Sequence, residues 1–119
     1  ISYEPIHVKI FADKYRITQV VSNIINNAIK FTDEGIITIV GNVNSTELSV
    51  QISDTGKGID REIISRLFDK FVSRSEQGTG LGLFISKNIV ESHGGTITGF
   101  NQEKGTGATF IFTLPLNSK

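Results

Sequence analysis

The sequence contains no cysteine, no methionine and no tryptophan, and only two prolines. Without cysteine there is no disulfide framework, no thiol nucleophile and no thiolate metal site, which fits a reducing compartment. Neither sign of charge dominates, since 12 basic and 12 acidic side chains cancel. A duplex-binding surface needs a net basic footprint to displace counterions, so nucleic acid is excluded as the expected partner. No uncharged apolar run approaches the length of a membrane span. The first residues, Ile1 to Glu4, carry no start Met, basic leader or apolar signal core, so the chain reads as a piece of a longer one. What is present suffices for a folded core. The hydrophobic fraction is 38% of 119 residues, and 12 glycines are added to it when it is compared with the usual apolar share of globular domains. One domain spanning 1–119 is expected.

Ile6, Val8 and Ile10 alternate with His7, Lys9 and Phe11, the period of a half-buried strand. Asp13 then offers an N-cap to a helix over about 14–31. In it Ile17, Val20, Val21, Ile24, Ile25, Ala28 and Ile29 recur at three- and four-residue spacing. Asp33, Glu34 and Gly35 punctuate, and two β-rich runs, Ile36 to Val43 and Glu47 to Asp54, flank the turn residues Asn44, Ser45 and Thr46. A second helix is expected from an Asp60 cap to about Phe68, with Ile63, Ile64, Leu67, Phe68 and Phe71 on one side. The stretch Val72 to Gly80 lacks apolar periodicity and reads as a mobile loop. A third helix starts near Leu81, turns Phe84, Ile85 and Ile89 inward, and stops at Gly94 and Gly95. Strands over Thr96 to Asn101 and Ala108 to Leu116 complete the order. The expectation is an α/β chain built as an α+β two-layer sandwich: a mixed sheet of about five strands with three helices on one face.

Three places carry candidate chemistry. Asn23, Asn26 and Asn27 lie opposite the apolar stripe of the first helix, where Asn is a poor helix former. They are either a solvated face or, for Asn23 and Asn27 one turn apart, a pair of amides aimed at a ligand. An amide oxygen is a hard donor suited to Mg²⁺ that also takes phosphate oxygens, and Lys30 adds positive charge one turn on. Asp54 shares strand parity with Leu48, Val50 and Ile52, so its carboxylate points toward the core. A buried carboxylate needs a partner. It is either a strand-end residue turning the chain into Thr55 and Gly56, or an acceptor for an exocyclic amine such as that of adenine. Gly56 and Gly58, lacking Cβ atoms, let a flat ring approach the backbone. The run Gly78, Thr79, Gly80, Leu81, Gly82, Leu83 opens a helix, where backbone N–H groups and the helix dipole suit an anion. Glycines also occur wherever loops need unusual backbone angles. Leu83 stands where a dinucleotide fingerprint needs Gly, and no Gly-Lys-Ser or Gly-Lys-Thr occurs.

In this order the blocks resemble the catalytic ATP-binding domain of sensor histidine kinases, within the gyrase, heat-shock chaperone, histidine kinase and mismatch-repair ATPase superfamily. Asp13 to Thr32 looks like the N box, Asp54 to Ile59 the first glycine box and Leu67 to Phe71 the F box. Gly78 to Leu83 looks like the second glycine box, and Gly105 to Phe110 the third. The resemblance covers nearly the whole chain and implies a Bergerat-type ATP-binding fold with ATP and Mg²⁺ as cofactors. It implies that Asn27 holds Mg²⁺, that Asn23 and Lys30 face the phosphates, and that Phe31 lines the adenine side. Asp54 then reads the adenine amine, Gly56, Gly58 and Ile59 shape the base pocket, and Phe71 of the F box belongs to the nucleotide site. Gly78 and Thr79, Gly80, Leu81, Gly82 and Leu83 cradle phosphates under a lid over 72–77, with Arg74 a candidate for the γ-phosphate. Related ATPases carry a general-base Glu where Asn23 stands, and an amide cannot take a proton. Ala108 stands where many relatives carry Ser or Thr.

The implied function is binding of Mg-ATP and donation of its γ-phosphoryl group to a histidine on a separate dimerisation and phosphoacceptor domain, in two-component signal transduction. The alternatives are a non-catalytic nucleotide-binding regulatory module and a self-contained ATPase. His7 and His93 are poor acceptors, since neither precedes an acidic residue. The implied partners are ATP, the acceptor domain of a dimeric parent and a downstream response regulator. No direct membrane contact is expected, and the domain is placed in the cytoplasm.

Overall fold

A computed structural model of the chain describes residues 13–32, 34–72, 81–103 and 105–116. The strand expected over residues 6–11 and the loop residues 73–80 lie outside them.

The helix α1 spans Lys14–Lys30. Asp13 caps it through its carboxylate, which accepts from the backbone N–H groups of Tyr15 and Arg16 at 3.1 and 3.3 Å. Val20, Ile24 and Ala28, each one turn apart, form the buried ridge, while Ile17, Val21 and Ile25 pack along its sides. Ile29 of the expected stripe stands outside it, exposed. The strands β1 (Ile37–Val43) and β2 (Glu47–Asp54) form the expected antiparallel hairpin. Its turn is closed by Asn44, whose Oδ1 accepts from the N–H groups of Thr46 and Glu47, both at 2.8 Å.

Between Asp60 and Val72 no α-helix forms. Backbone bonds run from Ile63 N–H to Asp60 C=O, Arg66 to Ile63, Asp69 to Arg66 and Val72 to Asp69, a succession of three-residue turns with one 3-10 turn at Ile64–Arg66. Asp60 Oδ1 accepts from Glu62 N–H at 2.9 Å, the bond of a helix N-cap, but the backbone bonds that follow close over three residues rather than four. Apolar residues three and four apart serve such turns as well as a helix. Leu67 is buried, and Phe68 meets Phe110 edge to face at a centroid distance of 6.2 Å.

The helix α2 covers Gly82–Ser92 and is followed by β3 (Ile97–Asn101) and β4 (Ala108–Pro115). Its buried face is Leu83, Ser86, Ile89 and Val90, rotated from the Phe84, Ile85, Ile89 face expected. The strand order is β1-β2-β4-β3, and among the described residues every pairing is antiparallel. The two central strands carry the core: Ile52 stands opposite Phe110, Val50 opposite Phe112 and Leu48 opposite Leu114. Each fully buried aliphatic or aromatic side chain stabilises by about 1.5–3 kcal/mol. Both α-helices pack together, α1 on β2 and α2 on β3 and β4. The described part is thus an α/β arrangement of four strands and two α-helices, with a 3-10 turn where the second of three expected helices was placed.

Candidate functional site

Asp54 ends β2 and is 1% exposed. Its Oδ1 accepts from Gly56 N–H at 2.9 Å and from Ala108 N–H at 3.2 Å. The first bond is the strand-end turn and the second ties the carboxylate to β4, so the two readings of this residue are compatible. Two fixed donors on one oxygen set the orientation of the whole carboxylate. The loop that follows carries Gly56, Gly58 and Ile59, and Ile59 is buried in the core at 5% exposure.

The second wall is the end of α1. Asn27 is half-buried, and Phe31, the C-cap, has a carbonyl that accepts from Lys57 N–H at 3.3 Å. A helix-end carbonyl is thereby satisfied by the loop after Asp54. Lys30 is exposed, with its Nζ 5.9 Å from the centroid of the Phe31 ring. A Cβ built at Gly56 would fall on the Phe31 carbonyl. The missing Cβ therefore admits the end of α1, a reason different from the close ligand approach expected of it.

Asn23 faces α2. Its Nδ2 donates to Gly82 C=O and to Ser86 Oγ, both at 3.2 Å, and Ser86 Oγ also donates to Gly82 C=O at 2.9 Å. Ser86 is completely buried. This polar bridge joins α1, one turn before Asn27, to the first residue of the helix that follows the glycine run. Asn26 is exposed and alone fits a solvated face. Ser86→Ala is expected to destabilise the chain by about 1 kcal/mol, read as a lower urea midpoint at unchanged slope.

Of the glycine run, Leu81 and Gly82 are half-buried at the start of α2, and the Leu83 side chain belongs to the core. Leu83 can therefore offer a ligand its backbone only. Arg74, Gly78, Thr79 and Gly80 lie outside the described residues. Phe71 is 70% exposed and adopts the left-handed backbone at φ 68°, a strained position for an aromatic residue. The Lys70 ammonium sits 5.6 Å from its ring centroid and 5.8 Å from that of Phe84 on α2.

Four further residues bear on the site without any sequence signal that marked them. Ser86 is one. At the other wall, Asn101 Oδ1 accepts from Ile59 N–H at 2.6 Å while its Nδ2 donates to Ile59 C=O at 2.8 Å. Gln102 Nε2 donates to Asp54 C=O at 2.6 Å, and Thr106 Oγ1 to Thr55 C=O at 3.2 Å. A 3.6-residue spacing within 83, 86 and 90 could have flagged Ser86. The other three leave no periodic trace.

Residues 12–118 match the family model described as Histidine kinase-, DNA gyrase B-, and HSP90-like ATPase. Sensor protein SrrB of Staphylococcus aureus is 44% identical over 110 residues, which is 87% of this chain and 19% of that protein. The chain thus spans about a fifth of the length of the curated relatives it matches. Among solved structures, the mycobacterial sensor histidine kinase MprB superposes with a TM-score of 0.81 at 26% identity, over 91% of this chain and 77% of that one. The catalytic domain of histidine kinase ThkA gives 0.79 at 38% identity, over 90% and 70%. Full-length ShkA in complex with AMPPNP gives 0.79 at 32% identity, over 92% and 23%. With a buried carboxylate at the end of β2 and the loop after it bonded to the end of an Asn-bearing helix, the chain belongs to the histidine kinase-, DNA gyrase B- and HSP90-like ATPase family and is of the catalytic ATP-binding domain type found in sensor histidine kinases.

Proposed function

We propose that the chain, as one domain of a longer kinase, binds Mg·ATP at a site bordered by the end of α1 and the loop after β2, which meet each other through Phe31 and Lys57. Its γ-phosphoryl group would go to a histidine on a separate phosphoacceptor domain of a dimeric parent, and from there to a response regulator. The observation that carries the reading is Asp54, a buried carboxylate whose orientation is set by two backbone N–H groups. Such an acceptor is suited to the exocyclic amine of adenine. The AMPPNP complex of the neighbour ShkA supports the same ligand class.

The remaining residues fit the rest of the nucleotide. Phe31, at the end of α1, and Ile59, in the loop that begins at Asp54, would line the base. Among the described residues no three His, Asp or Glu side chains converge. Asn27 supplies one hard oxygen rather than a cage, which suits a Mg²⁺ ion carried in on phosphate oxygens. When bound, that ion neutralises phosphate charge. The protein's part is to hold the nucleotide in line for an incoming imidazole, through Asn27, Lys30, the glycine run and Arg74.

The acceptor is not His93. Its Nδ1 lies 2.8 Å from Ile89 C=O within α2 and its Nε2 accepts from Asp13 N–H at the start of α1 at 3.0 Å, so both ring nitrogens are engaged and one of them joins the two helices. Asn23 cannot act as a general base for water, because an amide does not take a proton and its N–H₂ group is engaged with α2. No helix among the described residues is long and apolar enough to cross a membrane, and the proposed site of action is the cytoplasm.

Calorimetric titration with ADP and ATP, with and without Mg²⁺ and with GTP as control, tests the reading. Adenine-selective binding in the micromolar to millimolar range is expected, with label from γ-labelled ATP appearing on an added helical histidine domain and little turnover without it. Equal binding of GTP, or rapid turnover by the chain alone, overturns it. Asn27→Ala is expected to weaken Mg·ATP about tenfold and metal-free ATP less than about twofold; equal losses remove the metal role.

A further inference from the structure

We propose that Asn101 and Gln102, at the end of β3, are positioning residues that set the adenine-reading carboxylate. This inference rests on the nucleotide reading above and assigns the aim of Asp54 to the β3–β4 hairpin.

The ladder between β1 and β2 stops at Asp54, so the loop over residues 54–59 has no strand partner of its own, although Ile59 is buried. Buried backbone groups require partners. Asn101 provides both for Ile59, its amide oxygen taking the N–H at 2.6 Å and its amide nitrogen reaching the C=O at 2.8 Å. A primary amide of this length reproduces the donor and acceptor pair of a neighbouring strand. Aspartate lacks the donor, and serine has a single oxygen on a shorter side chain, which cannot span the N–H and C=O of Ile59 as the two ends of the amide do. Gly58, at φ 82°, would place a Cβ 2.9 Å from Asn101 Oδ1, so the loop is shaped around this side chain. Gln102 holds the other end of the loop, donating to Asp54 C=O at 2.6 Å. Its own N–H donates to Gly107 C=O at 3.0 Å across the hairpin. Both ends of the first glycine box are therefore anchored to two adjacent residues, and the carboxylate at its first residue, Asp54, inherits its position from the hairpin of the third box.

The test uses the whole chain with Asn101→Leu, Asn101→Ser and Gln102→Met. Two quantities are read: hydrogen exchange at the Ile59 amide without ligand, and affinities for ADP and for IDP, whose hypoxanthine carries a carbonyl in place of the adenine amine. Asn101→Leu is expected to accelerate exchange at Ile59 at least about tenfold while the α1 amides keep their protection. ADP affinity falls about tenfold, and the preference for ADP over IDP shrinks by a similar factor, because a poorly aimed carboxylate discriminates less. Asn101→Ser recovers part of both, and Gln102→Met gives a loss of about threefold. If Asn101→Leu fails to fold, the other two variants decide. Unchanged exchange at Ile59, or equal weakening of ADP and IDP, overturns the proposal; equal weakening marks a general structural role. An unsubstituted chain with no adenine preference overturns the nucleotide reading itself, and is told apart because failure of the positioning proposal alone leaves the unsubstituted chain with that preference.

Discussion

Asp54→Asn is expected to lower affinity for ADP by about 100-fold or more while changing the unfolding free energy by no more than about 1 kcal/mol. The asymmetry follows from the two N–H groups on Oδ1, those of Gly56 and Ala108. An asparagine can keep both bonds only by placing its oxygen where Oδ1 now lies, which forces its N–H₂ group into the position of Oδ2. An acceptor for the adenine amine then becomes a donor facing a donor. The same change suits a carbonyl, so the variant should prefer IDP over ADP. Asp54→Ala behaves differently, because it leaves two N–H groups without their acceptor beside a buried cavity. A cost of about 1–3 kcal/mol for each group makes it a folding variant. Calorimetry with the two nucleotides and urea unfolding separate these outcomes. Wild-type ADP affinity in Asp54→Asn would remove the residue from base recognition.

Much of this site was legible because it lies on periodic elements. The inward parity of Asp54 follows from Leu48, Val50 and Ile52, and it is buried as that parity demands. The extent of α1 follows from its Asp13 cap and apolar stripe, and the structure ends it at Lys30. Periodicity fails where packing is set by single contacts. The apolar spacing from Ile63 to Phe68 fits a helix and a run of three-residue turns equally, and the backbone bonds are those of turns. Ser86 is buried because it answers Asn23 across a helix pair, a relation between residues far apart in the chain. Asn101 and Gln102 read as polar residues at a strand end, and only the fold shows which backbone groups they satisfy. Glycines were the most ambiguous signal, since the sequence marks a missing Cβ without saying what fills the space.

That ambiguity is resolved by comparing two glycines. Gly56→Ala is expected to destabilise the chain by about 3 kcal/mol or more and to reduce ADP binding below detection. The added Cβ would occupy the Phe31 carbonyl and lie 3.0 Å from Thr32 Oγ1. Backbone cannot rotate away as a side chain can, so the end of α1 and the loop after Asp54 must separate. The bond from Lys57 N–H to Phe31 C=O is lost with that movement. Among the described residues Thr32 Oγ1 is buried without a hydrogen-bond partner, and the alanine methyl group offers it none. Separation also moves Asn27 and Phe31 away from Asp54, so the two halves of the proposed site no longer meet one nucleotide. Gly82→Ala should do the opposite. Among the described residues its Cβ would meet only Asn23 Cγ at 3.8 Å, an ordinary contact at a helix start, and alanine should stabilise the helix by up to about 1 kcal/mol. A fall in ATP affinity in that more stable variant would show that Gly82 serves close approach of phosphate. Thermal or urea unfolding of both variants, each paired with nucleotide titration, separates a glycine needed by the fold from one needed by the ligand. A Gly56→Ala chain as stable as the unsubstituted one would mean that the loop and the end of α1 are not in backbone contact.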